Sequence, residues 1–323
     1  MSSATANPLL SVVVPVYGSE QILPHTHRRL TEVLSTIPGL DHEIVFVNDG
    51  SPDDALRVLR EIAAIDPRVR VVSLSRNFGH QVAISAGLDA ASGDAVVTID
   101  DDLQDPPEVI VEMVERWRAG CGVVYGKRVE RKGEGSFKRV SAALFYRLLS
   151  WMSETPLPLD AGDFRLLDRK AADALRSMRE ESRYIRGMVA WLGFEQCAVE
   201  YSRDPRFSGK GNYTMRKLLR LASDGIVSFS SKPLLLAGRF GAAVTIVGFL
   251  YGMYLVVNKM VHPDAVLQGW TSVVLIVLFL GGVQLMSIGL LGSYIARIFY
   301  ETKGRPLYFV SELHNFPAEE GES

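Results

Sequence analysis

The sequence contains little cysteine and almost no net charge. Cys121 and Cys197 are the only cysteines in 323 residues, and no Cys-x-x-Cys spacing occurs, so the sequence predicts neither a zinc cage nor a disulfide framework. A reducing, cytosolic environment agrees best with this use of cysteine. The formal charge is -2, which excludes a polycation of the kind that coats nucleic acid, and we expect no nucleic-acid partner.

Two further motifs are missing near the N-terminus. The first apolar run, at 9–16, is followed by Y-G-S-E rather than by G-x-G-x-x-G, which disfavours a dinucleotide-dependent dehydrogenase. The same run is too short for a signal peptide and has no basic segment before it. We therefore expect the chain before the first long apolar run to stay in the cytoplasm.

Apolar residues concentrate near the C-terminus and raise the mean hydropathy of the chain to +0.12. Residues 240–257 and 270–296 are uncharged, and each run is long enough to cross a bilayer as a helix. Basic residues flank the two runs on their outer sides, whereas the loop between them contains only Lys259. The positive-inside rule then predicts a multi-pass protein of the inner (plasma) membrane with both termini in the cytoplasm. A buried hairpin of a soluble protein is the alternative.

The N-terminal part of the chain alternates between two kinds of segment. Short β-branched runs predict buried parallel strands, and the amphipathic segments between them predict helices. The predicted strands lie at 11–16, 43–48, 70–75 and 95–100. This alternation predicts a doubly wound α/β sheet, in which ligands bind beyond the carboxyl ends of the strands.

The most informative motif, D-D-D-L-Q-D-P-P-E at 100–108, follows the fourth predicted strand. Adjacent carboxylates repel one another unless a cation or several donors compensate them. Because alternate side chains of an extended segment point the same way, we expect Asp100 and Asp102 to share a Mg²⁺ or Mn²⁺ ion while Asp101 points away. An acidic loop that caps the next helix is the alternative.

Asp49 follows the second predicted strand. Its carboxylate either binds a base or ribose or forms part of a turn before the next helix.

Four segments occur together in the order and spacing of one enzyme family: V-P-V-Y at 14–17, V-N-D-G-S at 47–51, S-R-N-F-G at 75–79, and the acidic motif. The chain resembles the GT-A glycosyltransferases of family 2. Within them it is similar to the polyprenyl-phosphate glycosyltransferases, the group of the bactoprenol glucosyltransferases and the dolichol-phosphate mannose synthases. The resemblance covers nearly the whole length. It implies a doubly wound mixed sheet of GT-A type, followed by interfacial helices and a two-helix transmembrane hairpin.

The resemblance also implies a donor site at the strand ends. Asp100 and Asp102 match the D-x-D motif of the family, and Asp102 is expected to be the more direct ligand of the metal and to act in catalysis. Gln104 is expected beside the diphosphate. The expected contacts of the nucleotide-sugar are Pro15, Tyr17, Glu20, Asp49, Asp100 and Gln104.

A basic segment follows, at 127–147, in which basic residues clearly outnumber acidic ones. It predicts an anion site, with a solvated basic loop as the alternative. In the related enzymes arginines of this region hold the lipid phosphate, so Arg128 and Arg139 are expected to act in catalysis and Arg131 to bind the same phosphate. Asp163, in a G-D-F-R-L segment, is expected near both substrates. It either positions them or acts as a base, and both roles stay open because a phosphate acceptor is already ionised near pH 7.

The expected organisation has four parts. Residues 1–210 form the catalytic domain, 211–236 amphipathic interfacial helices, 237–297 two transmembrane helices, and 298–323 a cytoplasmic tail. A short strand at 306–310 in this tail is expected to pair with another protomer of a homo-oligomer.

The expected reaction is the inverting transfer of a hexose, glucose before others, from a UDP-sugar to polyprenyl (undecaprenyl) phosphate at the cytoplasmic membrane face. Two alternatives are a GDP-mannose-dependent polyprenyl-phosphate mannose synthase and a non-catalytic, membrane-anchored nucleotide-binding protein. A processive polysaccharide synthase is disfavoured because the sequence has no Q-x-x-R-W motif.

Overall fold

One mixed sheet of eight strands organises the α/β part of the protein. The structure is a computed structural model, and it describes residues 7–129, 161–181, 183–204, 232–262 and 269–316. The strands are β1 Leu9–Val16, β2 Asp41–Asn48, β3 Val69–Leu74, β4 Ala95–Thr98, β5 Val123–Arg128, β6 Ala161–Asp168, β7 Gln196–Tyr201 and β8 Val310–His314. Their spatial order is β7-β5-β6-β4-β1-β2-β3-β8.

Helices cover both faces of the sheet, as burial of the central strands requires. Within the α/β part they are α1 Leu23–Leu34, α2 Ala55–Ile65, α3 His80–Ala90, α4 Val109–Arg118, α5 Arg169–Ser177 and α6 Ile185–Trp191. The first four helices and strands confirm the predicted alternation. Strands β1 to β4 are buried along most of their length, with partly or fully exposed residues mainly at the start of β2, because each sheet face packs against helices.

The direction of the strands determines at which edge of the sheet their carboxyl ends come together. Strand β1 pairs in parallel with β2 and β4, and β2 pairs in parallel with β3. The carboxyl ends of these four strands therefore meet at one edge of the sheet. Strand β6 runs antiparallel between β4 and β5, so that the start of β6 lies at the same edge. The doubly wound mixed sheet agrees with the expected GT-A fold.

Strand β8 corrects one expectation about the tail. The strand expected at 306–310 lies at Val310–His314, and it pairs antiparallel with β3 of the same chain rather than with another protomer. The pairing is reinforced beyond the ladder, because the guanidinium of Arg60 on α2 forms an ion pair with Glu312. The tail therefore completes the sheet of its own chain.

The two cysteines correct another expectation. Cys121 and Cys197 form a disulfide, with Cα atoms 6.2 Å apart although 76 positions separate them in sequence. Strands β5 and β7 pair in parallel with Val124 opposite Cys197, which brings the two segments side by side. The Cα separation lies within the range that a disulfide requires. Cysteine spacing in the sequence carries no information about this cross-strand contact.

The second compact unit consists, within the described residues, of two long helices. They are α7 Lys232–Val261 and α8 Trp270–Thr302, and they contain the apolar runs 240–257 and 270–296. Both helices are long and apolar enough to cross a membrane, and their apolar windows are not buried inside the protein. The expected interfacial segment 211–236 lies outside the described residues up to position 231.

Candidate active site

The loops after β1 and β2 are locked together by their own carboxylates. The backbone N–H of Glu20 donates to the Asp53 carboxylate at 3.0 Å, and the Glu20 carboxylate accepts from the Asp54 N–H at 2.9 Å. This reciprocal pair satisfies donors at the start of α2. Pro15 is buried within β1, whereas Tyr17 is 55% exposed at the strand end. Of the residues expected at the nucleotide, Tyr17 is the one most open to a ligand.

Asp49 is 3% exposed and holds the loop between β3 and α3. One carboxylate oxygen accepts from the backbone N–H of Phe78 at 2.7 Å, and the other accepts from the N–H of Gly79 at 2.9 Å. A carboxylate oxygen offers two lone pairs, so each keeps a second acceptor position. The structure thus gives Asp49 a bracing role in addition to the contact with a base or ribose that the sequence predicts.

The acidic motif begins two residues after the end of β4, and its first three carboxylates have few partners among the described residues. The Asp101 carboxylate accepts from the Ser19 hydroxyl, and its backbone oxygen accepts from Thr26. Asp102 accepts from the backbone N–H of Gln104 at 3.1 Å. Burial raises the pKa of Asp100, and it raises the pKa of Asp101 to about 7, with the neighbouring carboxylates adding to both effects. The surroundings of the first two carboxylates of the motif therefore disfavour their ionised forms.

Asp163 lies at the start of β6 and faces this motif through a group of polar side chains. The guanidinium of Arg186, on α6, donates two hydrogen bonds to the Asp163 carboxylate, at 2.9 and 3.0 Å. Gln81 at the start of α3 donates to the same carboxylate at 3.3 Å, and its side-chain oxygen accepts from the N–H of Ile185 at 3.0 Å. His80 Nε2 lies 3.6 Å from Asp163 and 3.5 Å from Asp100. His80 thus bridges the two predicted aspartates.

The electrostatic environment of this group favours the ionised form of Asp163 and the protonated form of His80. Although burial alone raises the pKa of Asp163, hydrogen bonds from His80 and Arg186 outweigh it and hold the pKa well below its usual range. Burial lowers the pKa of His80, but the carboxylates of Asp163 and Asp100 outweigh burial and raise it. An ideal base has a pKa near the working pH. Asp163 is therefore suited to holding charge and geometry rather than to accepting a proton.

Arg128 ends β5 on the other side of β6. Its Nε donates to the Tyr201 hydroxyl at 3.2 Å, and its Nη2 lies 3.7 Å from the carboxylate of Asp105. Gln104, the predicted neighbour of the diphosphate, is almost fully buried. Arg131 and Arg139, the other predicted phosphate ligands, lie outside the described residues.

Sequence reasoning missed several members of this site. Arg186 and Tyr201 belong to no motif, so no signal in the sequence identifies them. His80 and Gln81 follow the S-R-N-F-G segment directly, and their place at the start of a helix beyond a strand end was the available signal. Asp105 lies within the acidic motif but is 1% exposed and fully engaged by protein groups, which separates it from the ligand candidates.

Comparison with known proteins identifies two family regions in the chain. Residues 11–176 match glycosyl transferase family 2, and residues 232–298 match the GtrB C-terminal hairpin. An uncharacterized glycosyltransferase of Bacillus subtilis, YkcC, is 49% identical over 94% of this chain and 94% of its own length. A prophage-derived bactoprenol glucosyl transferase of Shigella flexneri is 40% identical over 94% of this chain and 98% of its own length.

Among solved structures, the mannosyl-3-phosphoglycerate synthase of Rubrobacter xylanophilus resembles the protein with a TM-score of 0.47 and 18% identity, over 72% of this chain and 75% of that one. The family assignment rests on the sequence matches, which span both the sheet and the helical hairpin. The chain therefore belongs to glycosyl transferase family 2, as a glycosyltransferase with a GtrB-type C-terminal hairpin.

Proposed function

We propose that the protein transfers a hexose, glucose before others, from a UDP-sugar to polyprenyl phosphate at the cytoplasmic membrane face. The observation that carries the proposal is the nearly full-length similarity to a protein named bactoprenol glucosyl transferase, at 40% identity. That similarity includes the strand ends with the acidic motif as well as the hairpin. The apolar helices would keep the catalytic unit beside a lipid acceptor, with both chain termini in the cytoplasm.

The acidic motif fits a divalent metal. Asp100 and Asp102 supply hard oxygen ligands of the kind that Mg²⁺ and Mn²⁺ prefer. Burial, with a smaller contribution from neighbouring carboxylates, raises the pKa of Asp100, and a cation at this position would favour the ionised form. Asp100 and Asp102 would hold the metal, with Asp102 as the more direct ligand. When bound, the ion would supply positive charge beside the departing nucleoside diphosphate.

The reaction is a single displacement at the anomeric carbon of the sugar. An oxygen of the lipid phosphate forms a new bond to that carbon while the bond from the carbon to the diphosphate breaks, and the nucleoside diphosphate leaves with the electron pair. Attack from the opposite side inverts the anomeric configuration. Because the phosphate is already ionised near pH 7, the enzyme contributes mainly positioning and electrostatic stabilisation.

In this proposal, Arg128 and Asp163 have different roles. Arg128, with Arg131 and Arg139, would bind the lipid phosphate, since an arginine pairs two phosphate oxygens and keeps its charge. Asp163, held ionised by Arg186, would position the donor sugar and the acceptor rather than remove a proton.

On the donor side, the exposed ring of Tyr17 would contact the nucleotide base, with Pro15 and Glu20 at the border of the same pocket. Asp49 would accept from the base or ribose with its remaining lone pairs, while Gln104 would lie beside the diphosphate. Each of these contacts follows from the position of the residue at the carboxyl end of a strand.

The test is transfer of radiolabel to undecaprenyl phosphate by the full chain in membranes or detergent. UDP-glucose, UDP-galactose, UDP-N-acetylglucosamine and GDP-mannose are compared, each with Mg²⁺, with Mn²⁺ and with a chelator. We expect labelled lipid from UDP-glucose, lost on chelation. Labelled lipid from GDP-mannose alone would replace the donor in the proposal, and metal-dependent nucleotide binding without product from any donor would refute transfer to this acceptor.

A further inference from the structure

A buried carboxylate, Asp105, organises the region around Arg128. Two guanidinium groups approach it: Arg203 donates from Nε at 2.8 Å and from Nη2 at 3.3 Å, and Nη2 of Arg128 lies 3.7 Å away. The Tyr201 hydroxyl donates to the same carboxylate at 2.5 Å. The carboxylate of Asp105 thus lies between two guanidinium groups and one phenol hydroxyl.

Tyr201 connects Arg128 to that carboxylate. Its hydroxyl proton goes to Asp105, and its oxygen accepts from Nε of Arg128 at 3.2 Å. Burial and the hydrogen bond to Asp105 raise the pKa of Tyr201 to about 12. The phenol therefore stays protonated at neutral pH and holds Arg128 without neutralising its charge.

The sequence leaves room for this arrangement at two glycines. A Cβ at Gly126 would lie 2.7 Å from the ring of Tyr201, so the ring needs a glycine where it crosses β5. A Cβ at Gly162 would lie 2.8 Å from Nη2 of Arg128, so a larger residue there would displace the guanidinium from this position over β6. Phe164 packs edge-on against Tyr201, with ring centroids 5.7 Å apart. The Tyr201 ring is therefore packed on two sides, and its hydroxyl contacts the Arg128 side chain.

Nη1 is the nitrogen of Arg128 that these contacts, within the described residues, do not use. Within the described part of the chain, Nε and Nη2 have the contacts given above, and Nη1 has no hydrogen-bond partner. An arginine on a flexible stem loses side-chain entropy when it binds a phosphate, and prior fixation of Nε removes part of that cost.

We propose that Tyr201 is a positioning residue for the acceptor: its hydroxyl orients Arg128 toward the phosphate of the polyprenyl acceptor. This inference rests on the proposed function, in which Arg128 binds that phosphate. It adds a residue that no sequence motif indicates, and it assigns Asp105 to the support of that residue rather than to the metal.

The experiment is steady-state kinetics of Tyr201→Phe in the full chain, with undecaprenyl phosphate and the preferred donor varied separately. Phenylalanine keeps the ring packing against Phe164 and removes only the hydroxyl. We expect the KM for the lipid phosphate to rise about 5- to 10-fold, as for loss of one typical hydrogen bond. The KM for the donor and kcat should stay within about twofold.

A matched control is Tyr308→Phe. Tyr308 also donates its hydroxyl to a carboxylate, that of Asp89 at 2.7 Å, and it is half-buried at a distance from Arg128 along the sheet. Its loss should leave both KM values unchanged. If Tyr308→Phe raises the KM for the lipid phosphate as much as Tyr201→Phe does, the effect is general destabilisation and the inference is wrong.

A double-mutant cycle tests whether Tyr201 acts through Arg128. The acceptor effect of Tyr201→Phe should disappear in an Arg128→Ala background, because the group that it positions is then absent. An undiminished effect in that background overturns the inference.

Two other outcomes distinguish a failure of this inference from a failure of the proposed function. If the unaltered protein transfers sugar and Arg128→Ala raises the KM for the lipid phosphate while Tyr201→Phe does not, the inference alone fails. If the unaltered protein makes no lipid product from any donor, the proposed function fails and takes the inference with it.

Discussion

Carboxylates follow both β2 and β4 at one edge of the sheet, but their surroundings differ. Asp49, after β2, receives a backbone N–H on each oxygen and connects two loops. After β4, His80 is the basic side chain that lies nearest to the Asp100 carboxylate within the described residues, at 3.5 Å, and burial raises the pKa of both Asp100 and Asp101. The first environment stabilises a negative charge, whereas the second concentrates it.

This contrast indicates what each region contributes. Backbone donors around Asp49 are fixed by the fold, so its loop is shaped before any ligand arrives. Burial, and to a smaller extent the neighbouring carboxylates, disfavour the ionised forms of Asp100 and Asp101, and a bound cation would oppose this effect. Such an arrangement is expected where charge changes during binding or reaction. In the proposed function, the same sheet edge would provide a rigid side for the nucleotide and a charged side for the metal and diphosphate.

The strongest test of the contrast is Asp102→Asn. The amide keeps an acceptor for the Gln104 N–H but loses the negative charge that would hold a divalent cation. Transfer should fall at least about 100-fold, while Tm should not fall because like-charge repulsion decreases. Initial rates across metal concentrations and a thermal melt measure both. Normal turnover with normal metal dependence would remove Asp102 from the ligand set.

The next test is Arg186→Gln, which removes the ion pair between Arg186 and Asp163 beside the acidic motif. Without the two hydrogen bonds from Arg186, Asp163 loses its fixed orientation, and kcat should fall about 10- to 100-fold. The control is Arg179→Gln, which breaks a comparable pair with Asp89, at 2.8 and 3.3 Å, on a solvent-exposed side chain. Equal losses of kcat in the two variants would contradict a specific role for the Arg186 pair.

Asp49→Asn tests the hydrogen bonds by which Asp49 holds the loop between β3 and α3. An amide offers one acceptor oxygen in place of two, so one of the N–H groups of Phe78 and Gly79 would face an NH₂ donor. The free energy of unfolding should fall by about 1–3 kcal/mol, with a rise in the KM for the nucleotide-sugar. Urea unfolding measures the first and donor kinetics the second. A stability equal to that of the unaltered protein would show that the brace is not needed.

The smallest expected effect involves Asp66, a carboxylate far along the chain from the acidic motif. Two hydrogen bonds from Arg68, both at 2.9 Å, lower the pKa of Asp66 well below its usual range. This pairing stabilises the folded state fully above the unfolded pKa of about 3.9, and the stabilisation is lost as the pH falls through the lower folded value.

Asp66→Asn should therefore cost about 1 kcal/mol of unfolding free energy at pH 7. The difference from the unaltered protein should shrink below pH 4, and urea titrations at pH 7, 4 and 3 would measure it. A difference that stays constant over this range would mean that the Asp66 charge contributes no stability.

Much of the fold follows from the sequence because the relevant signals are local. The β-branched runs and amphipathic segments before residue 120 predict β1 to β4 and α1 to α4, and the structure confirms them. Strands β6 and β8 are harder to place, since their partners are distant in the chain: β8 joins β3 from residues near the C-terminus. No local pattern specifies such a pairing or the Cys121–Cys197 contact.

The candidate site shows the same limit. The acidic motif is contiguous, so the sequence identifies it directly. The pair of Asp163 and Arg186 joins a strand to a helix, and the contact of Arg128 with Tyr201 joins two strands across 73 positions. Neither pair has a periodicity or a spacing rule, and only the sheet topology brings the partners together.

The central claim is that the charge concentrated after β4 binds a divalent cation together with the donor diphosphate. The most direct measurement is calorimetric titration of Mn²⁺ into the full chain in the presence of UDP, with the Asp102→Asn variant alongside. We predict one Mn²⁺ per chain for the unaltered protein and at least about tenfold weaker binding for the variant. Equal Mn²⁺ affinity in the two proteins would contradict the claim.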